Sequence, residues 1–202
     1  MAGSREFFNR RLHSLLGVVP IGLFLLVHLT VNHQATGGAE SFNRAANFME
    51  SLPFLNVLEI VLIFLPLLYH AIYGLYIAFT GTANTGRFGF FRNWMYLLQR
   101  ITGVLTLIFV AWHVWETRIA MIFGTPLNYQ MMEDIFSSPF MIAFYVVGII
   151  SAIFHFSNGL WSFMVSWGIT ISPRSQVIST YVTMIIFVLL SIVGLQAIFA
   201  FI

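Results

Sequence analysis

Hydrophobic and polar positions along this chain fall into long blocks, not the short alternations of a water-soluble domain. Five apolar runs, at about residues 15–31, 60–79, 101–115, 140–165 and 178–202, are separated by polar connectors containing Gly and Pro at 36–53, 81–92, 124–139 and 168–176. A helix needs roughly 20 predominantly apolar residues to cross a bilayer. The third run is short of that unless it begins near Trp94 and carries Gln99 and Arg100 in its first turns, the Arg side chain snorkelling to the interface. The pattern predicts an all-α, polytopic membrane bundle of five transmembrane helices. No second composition class interrupts it, so residues 1–202 are expected to form a single domain. Within the first connector, Phe42, Ala45, Ala46, Met49 and Leu52 recur at helical spacing and predict a short helix over 42–52 on the outer surface.

Composition narrows the class further. The chain is 59% hydrophobic and 8% charged, against about 25% charged residues in a typical soluble domain. That excludes an ordinary soluble globule, a disordered chain and a nucleic-acid binder. The absence of Cys excludes disulfides, thiolate metal sites, iron–sulfur clusters held by this chain and Cys nucleophiles. All nine basic residues are Arg. Arg5, Arg10, Arg11, Arg87, Arg92, Arg100 and Arg174 fall on one side of the predicted topology, and Arg44 and Arg118 on the other. The positive-inside rule then predicts a cytoplasmic amino terminus in a multi-pass protein of the cell membrane. The basic start before the first run has the outline of a signal peptide. The run is long for one and no A-x-A-like cleavage site follows, so a retained span is expected.

The histidines carry the chemistry. His13 and His33 lie at span ends, where a wet imidazole needs no special account, but His28, His70, His113 and His155 lie one each inside runs one to four. Ionisable residues within a span are costly and face the bundle interior or a functional path. His28 and His113 are 85 residues apart, and so are His70 and His155, so a shift of 85 maps the first two spans onto the next two. Gly74 and Gly159 each follow a His by four residues, on the same helical face, where a missing side chain would let a flat bulky group approach. Depth along alternating spans pairs His28 with His113 near the outer face and His70 with His155 near the inner face. Haem iron accepts two neutral imidazoles and needs an apolar slot between helices, which 22 Phe can line. A zinc site would add a carboxylate or thiolate at the same depth, whereas Glu59, Glu116 and the loop acids lie near the outer boundary. Haem at the two pairs is therefore expected, ahead of simple interhelical hydrogen bonding.

These residues sit in motifs that together span most of the chain: Arg10-Arg11-Leu12-His13-Ser14-Leu15-Leu16-Gly17, Asn47-Phe48-Met49-Glu50-Ser51-Leu52-Pro53, Gln99-Arg100-Ile101-Thr102-Gly103, Trp112-His113-Val114-Trp115-Glu116-Thr117-Arg118 and Phe154-His155-Phe156-Ser157-Asn158-Gly159-Leu160-Trp161. In them the chain resembles the di-haem cytochrome b membrane anchors of Gram-positive succinate:menaquinone oxidoreductases. The resemblance implies two b-type haems, the inner on His70 and His155 and the outer on His28 and His113. It implies docking of a cytoplasmic flavoprotein and iron–sulfur subunit, with electrons passing from inner to outer haem and then to menaquinone. Arg11 and Arg100 are candidates to meet the haem propionates, although snorkelling to lipid headgroups explains them equally. Glu59 and Trp115 are candidates for the quinone site, as proton-exchanging carboxylate and ring wall. Other expectations stay open at this stage: a di-haem cytochrome b of another quinone-linked dehydrogenase, fumarate reduction, a proton-coupled transporter using the histidines, or a bare anchor.

Overall fold

Inside a bilayer the backbone has no water to bond, so each apolar run satisfies its N–H and C=O groups by closing into a helix. The computed structural model describes residues 2–202, of which the great majority are helical and none is in a strand. Five helical segments are long and apolar enough to cross a membrane: Gly3–Gly37, Leu55–Thr80, Phe91–Ile122, Pro139–Ser166 and Pro173–Phe199, here spans 1 to 5.

Spans 1, 2 and 3 overrun their apolar runs, because polar and charged residues that end a hydrophobic stretch do not end a helix. Span 1 begins with the polar helix Ala2–Val18, in which Glu6 and Arg10 pair at 2.8 Å one turn apart, breaks at Val19, and resumes as Pro20–His33. Span 3 starts at Phe91, three residues before Trp94, and continues past Val114 through a π turn, Trp115–Ile119, to Ile122. Span 4 matches its predicted run to within a residue. Span 5 begins earlier than expected, where Ser172 and Ser175 cap each other around Pro173, and ends at Phe199, short of Ile202.

Span 4 packs against spans 3 and 5 and against the first half of span 1, which also lies on the second half of span 2. With lipid tails as apolar as any side chain, close approach of small residues drives such seams. A Cβ on Gly148 would strike Phe109, one on Gly194 would meet Ile149 at 2.8 Å, and one on Gly22 would meet Phe156 at 2.5 Å. Span 5 accordingly buries Ser179, Thr183, Ser191, Gly194 and Ala197, and exposes Val182, Ile185, Val188 and Leu189.

The end of the bundle away from the amino terminus is capped. The predicted surface helix is present as Ala39–Glu50, burying Phe42 and Ala46. The connector 124–139 holds a second one, Tyr129–Phe136, capped by Asn128 and burying Met131, Met132 and Phe136. The Tyr129 amide donates to Asn43 Oδ1 at 2.8 Å and its hydroxyl donates to the Ala200 carbonyl. Phe42 and Phe136 close on Phe201 with ring centres 5.1 and 5.8 Å away.

Candidate functional site

The four intraspan histidines meet in twos. His70 of span 2 faces His155 of span 4 with ring centres 6.0 Å apart and planes at 89°. His28 of span 1 faces His113 of span 3 at 5.7 Å and 75°. Two imidazoles gripping one metal ion from opposite sides, at roughly 2 Å per bond, have ring centres about 6 Å apart.

What holds each ring decides which nitrogen it offers. His70 Nδ1 donates to the main-chain carbonyl of His13 at 2.9 Å, and His155 Nδ1 donates to that of Gln99 at 3.0 Å. A carbonyl only accepts, so Nδ1 carries the hydrogen in both rings and Nε2 keeps its lone pair. These contacts need a helix surface stripped of side chain. Gly17 and Gly103 provide it, since a Cβ on either would lie within 3.0 Å of the His70 or His155 ring. His13 and Gln99 are 86 residues apart, as are Gly17 and Gly103, whereas His28 and His113 are 85 apart. The extra residue of span 1 falls in the stretch between Gly17 and His28, where the helix breaks at Val19. Spans 1 and 2 thus repeat in spans 3 and 4 at the level of individual hydrogen bonds.

At the His28–His113 pair, His113 Nδ1 lies 3.2 Å from the Tyr145 hydroxyl, which donates to Glu116 Oε2 at 2.9 Å. His28 is held more loosely. Asn32 Nδ2 donates to the His28 carbonyl at 2.9 Å and lies 3.4 Å from its ring Nε2. No described residue hydrogen-bonds Nε2 of His70, His113 or His155.

With this geometry in place, the comparisons with known proteins are decisive. The sequence profile described as succinate dehydrogenase/fumarate reductase transmembrane subunit matches residues 83–194. Across all 202 residues, and the full length of the relative, the chain is 65% identical to the succinate dehydrogenase cytochrome b558 subunit of Bacillus subtilis (strain 168). The chain belongs to this family. It is a multi-pass membrane protein with the role of a membrane anchor.

In this transmembrane subunit the donor set fits a bis-imidazole haem. Among the described residues no cluster of three or more His, Asp or Glu side chains forms a metal cage, so the donors come as pairs of imidazoles, with Nε2 free on His70, His113 and His155. Arg100 adds a second sign. Its Nη1 donates to the Tyr96 carbonyl at 3.0 Å, while its buried Nε has no hydrogen-bond partner among the described residues. Its guanidinium lies over the Tyr96 ring, 3.4 Å from the centroid, and beside Gly81 at the end of span 2, so a cationic donor open among the described residues stands at that end of the bundle. Arg11 instead rests on aromatic faces, 5.0 Å from the Phe7 ring centre and 5.4 Å from that of Trp167.

Glu59 is engaged with Arg118, whose Nη2 and Nε reach Glu59 Oε2 at 2.7 and 3.0 Å, across from span 3 to span 2. Glu59 opens a π turn, Glu59–Phe64, and Trp115, 62% exposed, opens the other, Trp115–Ile119. Such turns are rare and concentrate at functional sites.

Sequence reasoning missed three residues at the pairs. His13 is no wet span end: it stacks on His70 with ring centres 4.0 Å apart and planes 9° from parallel. Gln99 donates from Nε2 to the His155 carbonyl at 2.9 Å and accepts from Asn158 at 2.7 Å. Tyr145 holds His113. The 86-residue offset linking His13 to Gln99 was the available signal for the first two; Tyr145 has none. Gly74 and Gly159 also act differently from expectation, since their open faces admit His13 Nε2 (3.1 Å from an added Cβ) and Gln99 Nε2 (3.3 Å).

Proposed function

We propose that residues 1–202 form a single transmembrane cytochrome b domain binding two haem b groups. His70 and His155 hold the inner haem, and His28 and His113 the outer. The subunit anchors the flavoprotein and iron–sulfur subunits of a succinate dehydrogenase at the cytoplasmic membrane. Support comes foremost from the two facing imidazole pairs, in which His70, His113 and His155 have Nδ1 hydrogen-bonded and Nε2 open, together with full-length similarity to a cytochrome b558 subunit. Haem held by these histidines would supply one-electron chemistry between ferric and ferrous iron, which is what a subunit standing between an iron–sulfur partner and menaquinone would need.

The chain's own residues hold and orient. The carbonyls of His13 and Gln99 lock the inner rings, and Tyr145 locks His113. Arg100 and Arg11 meet propionate charge at the inner end. At the outer end Glu59 passes protons at its carboxylate to the reduced quinone, Arg118 fixes that carboxylate, and Trp115 walls the ring. Seven Arg on the amino-terminal side against two opposite support a cytoplasmic amino terminus, which is where the catalytic partners dock.

A reduced-minus-oxidised spectrum of the purified protein, with haem quantified per chain, tests this reading. Two low-spin b haems are expected. His155→Ala should lose the inner signal and His28→Ala the outer; two haems retained in either variant would break the ligand assignment.

A further inference from the structure

The two pairs differ in what lies behind the ligand. The inner rings donate to main-chain carbonyls of neighbouring helices, acceptors that no substitution removes. Behind His113 stand two side chains. Tyr145 has one hydroxyl hydrogen, and at 2.9 Å it goes to Glu116 Oε2, because an ionised carboxylate only accepts. Its oxygen is then left to accept from His113 Nδ1 at 3.2 Å. The chain of donors runs one way, from imidazole to phenol to carboxylate, and it sets His113 as the tautomer with Nε2 free. Tyr145 cannot swing aside, being 2% exposed and wedged between Phe109 and Phe136, with ring centres 5.2 and 4.9 Å from its own. Glu116 stands one turn beyond His113 on the same helix, at the opening of the π turn, within reach of the Tyr145 hydroxyl.

We infer that Tyr145 and Glu116 are positioning residues that set the electron-donating strength of His113 and thereby hold the outer haem at a lower reduction potential than it would otherwise have. This rests on the reading that His113 ligates that haem. An imidazole N–H bonded towards a carboxylate makes the opposite nitrogen a stronger donor, and stronger donation favours ferric over ferrous iron. Glu116 delivers its charge through the Tyr145 hydroxyl, so the neutral Gln and the hydroxyl-free Phe should act in the same direction. The inner pair has no such relay among the described residues, and should not respond.

The test is an optical redox titration of the assembled, haem-replete complex, resolving both haems, for wild type, Tyr145→Phe, Glu116→Gln and Glu116→Asp. Expected is full haem content with an upward shift of the outer midpoint in the first two variants. The shift should be about tenfold in the reduction equilibrium, or about 59 mV for one electron. The inner midpoint should stay in place and Glu116→Asp should recover most of the wild-type value. An unchanged outer midpoint with both haems bound overturns the inference, and so do equal shifts of both haems, the mark of a generally loosened bundle. Should Tyr145→Phe fail to assemble, Glu116→Gln decides alone, because it keeps side-chain length and an acceptor oxygen. A His113→Ala variant that keeps two haems would instead overturn the ligand reading beneath the inference.

Discussion

Gly103 illustrates how much a single missing carbon decides. A Cβ there would sit 2.9 Å from His155 Cε1 and 3.2 Å from Nδ1, tighter than packed carbons tolerate, so the ring would have to leave the Gln99 carbonyl. Gly103→Ala should therefore cost about 1–3 kcal/mol through overpacking and should cut inner-haem occupancy by half or more, read as haem per chain. Gly89→Ala is the matched control: nothing lies within 4 Å of its added Cβ, and haem content should stay at the wild-type level. The histidines themselves were legible from one sequence because imidazoles inside apolar runs stand out. The glycines opposite them were not, since a Gly in a membrane helix has many uses and only the neighbouring helix reveals which one applies.

At the scale of elements, the two π turns face each other at the capped end. Arg118, in the turn of span 3, reaches Glu59, which opens the turn of span 2, and also lies 3.5 Å from Glu50 on the surface helix. Side-chain exposures of 23% for Arg118 and 19% for Glu59 put this ion pair between the surface and buried regimes. Arg118→Leu would strand the Glu59 carboxylate and should destabilise the subunit by about 1–3 kcal/mol, seen as a lower unfolding temperature in detergent. Pairing it with Glu59→Gln should recover part of the loss, which a purely steric effect of Leu would not allow. The helix Tyr129–Phe136 escaped the hydrophobic pattern because it is short and its buried residues come in a Met131–Met132 doublet and Phe136. What stabilises it is the Asn43, Phe42, Phe201 and Ala200 surface it lands on, none of which is adjacent in sequence.

For the whole molecule, the direction of charge movement is the consequence to test. On span 1 Gly17, against which the His70 ring rests, and His28 are 11 positions apart; at 1.5 Å per residue this separates the pairs by roughly 16 Å along the bundle. In the proposed orientation an electron moving from inner to outer haem travels away from the negative side of an energised membrane, worth roughly 2.3 kcal/mol per 100 mV for the full field. Succinate-driven menaquinone reduction in sealed, energised vesicles should accordingly fall when an uncoupler collapses the potential. Reduction by a stronger donor that feeds the same haems should fall much less. A rate indifferent to uncoupling would count against transmembrane electron flow in that direction.

By itself the sequence determined the membrane class, the number of spans, the four histidines and their pairing by depth, because hydropathy and the cost of burying an imidazole are properties of a residue and its immediate run. Charge asymmetry and the 85-residue offset are likewise written along one dimension. The tertiary structure alone decided which nitrogen each ring presents, which glycines admit the rings, that His13 stacks on His70, and that Tyr145 and Glu116 stand behind His113. Each of those depends on atoms from different helices meeting within about 3 to 4 Å, and the hydropathy of a span is blind to which of its faces meets a neighbour.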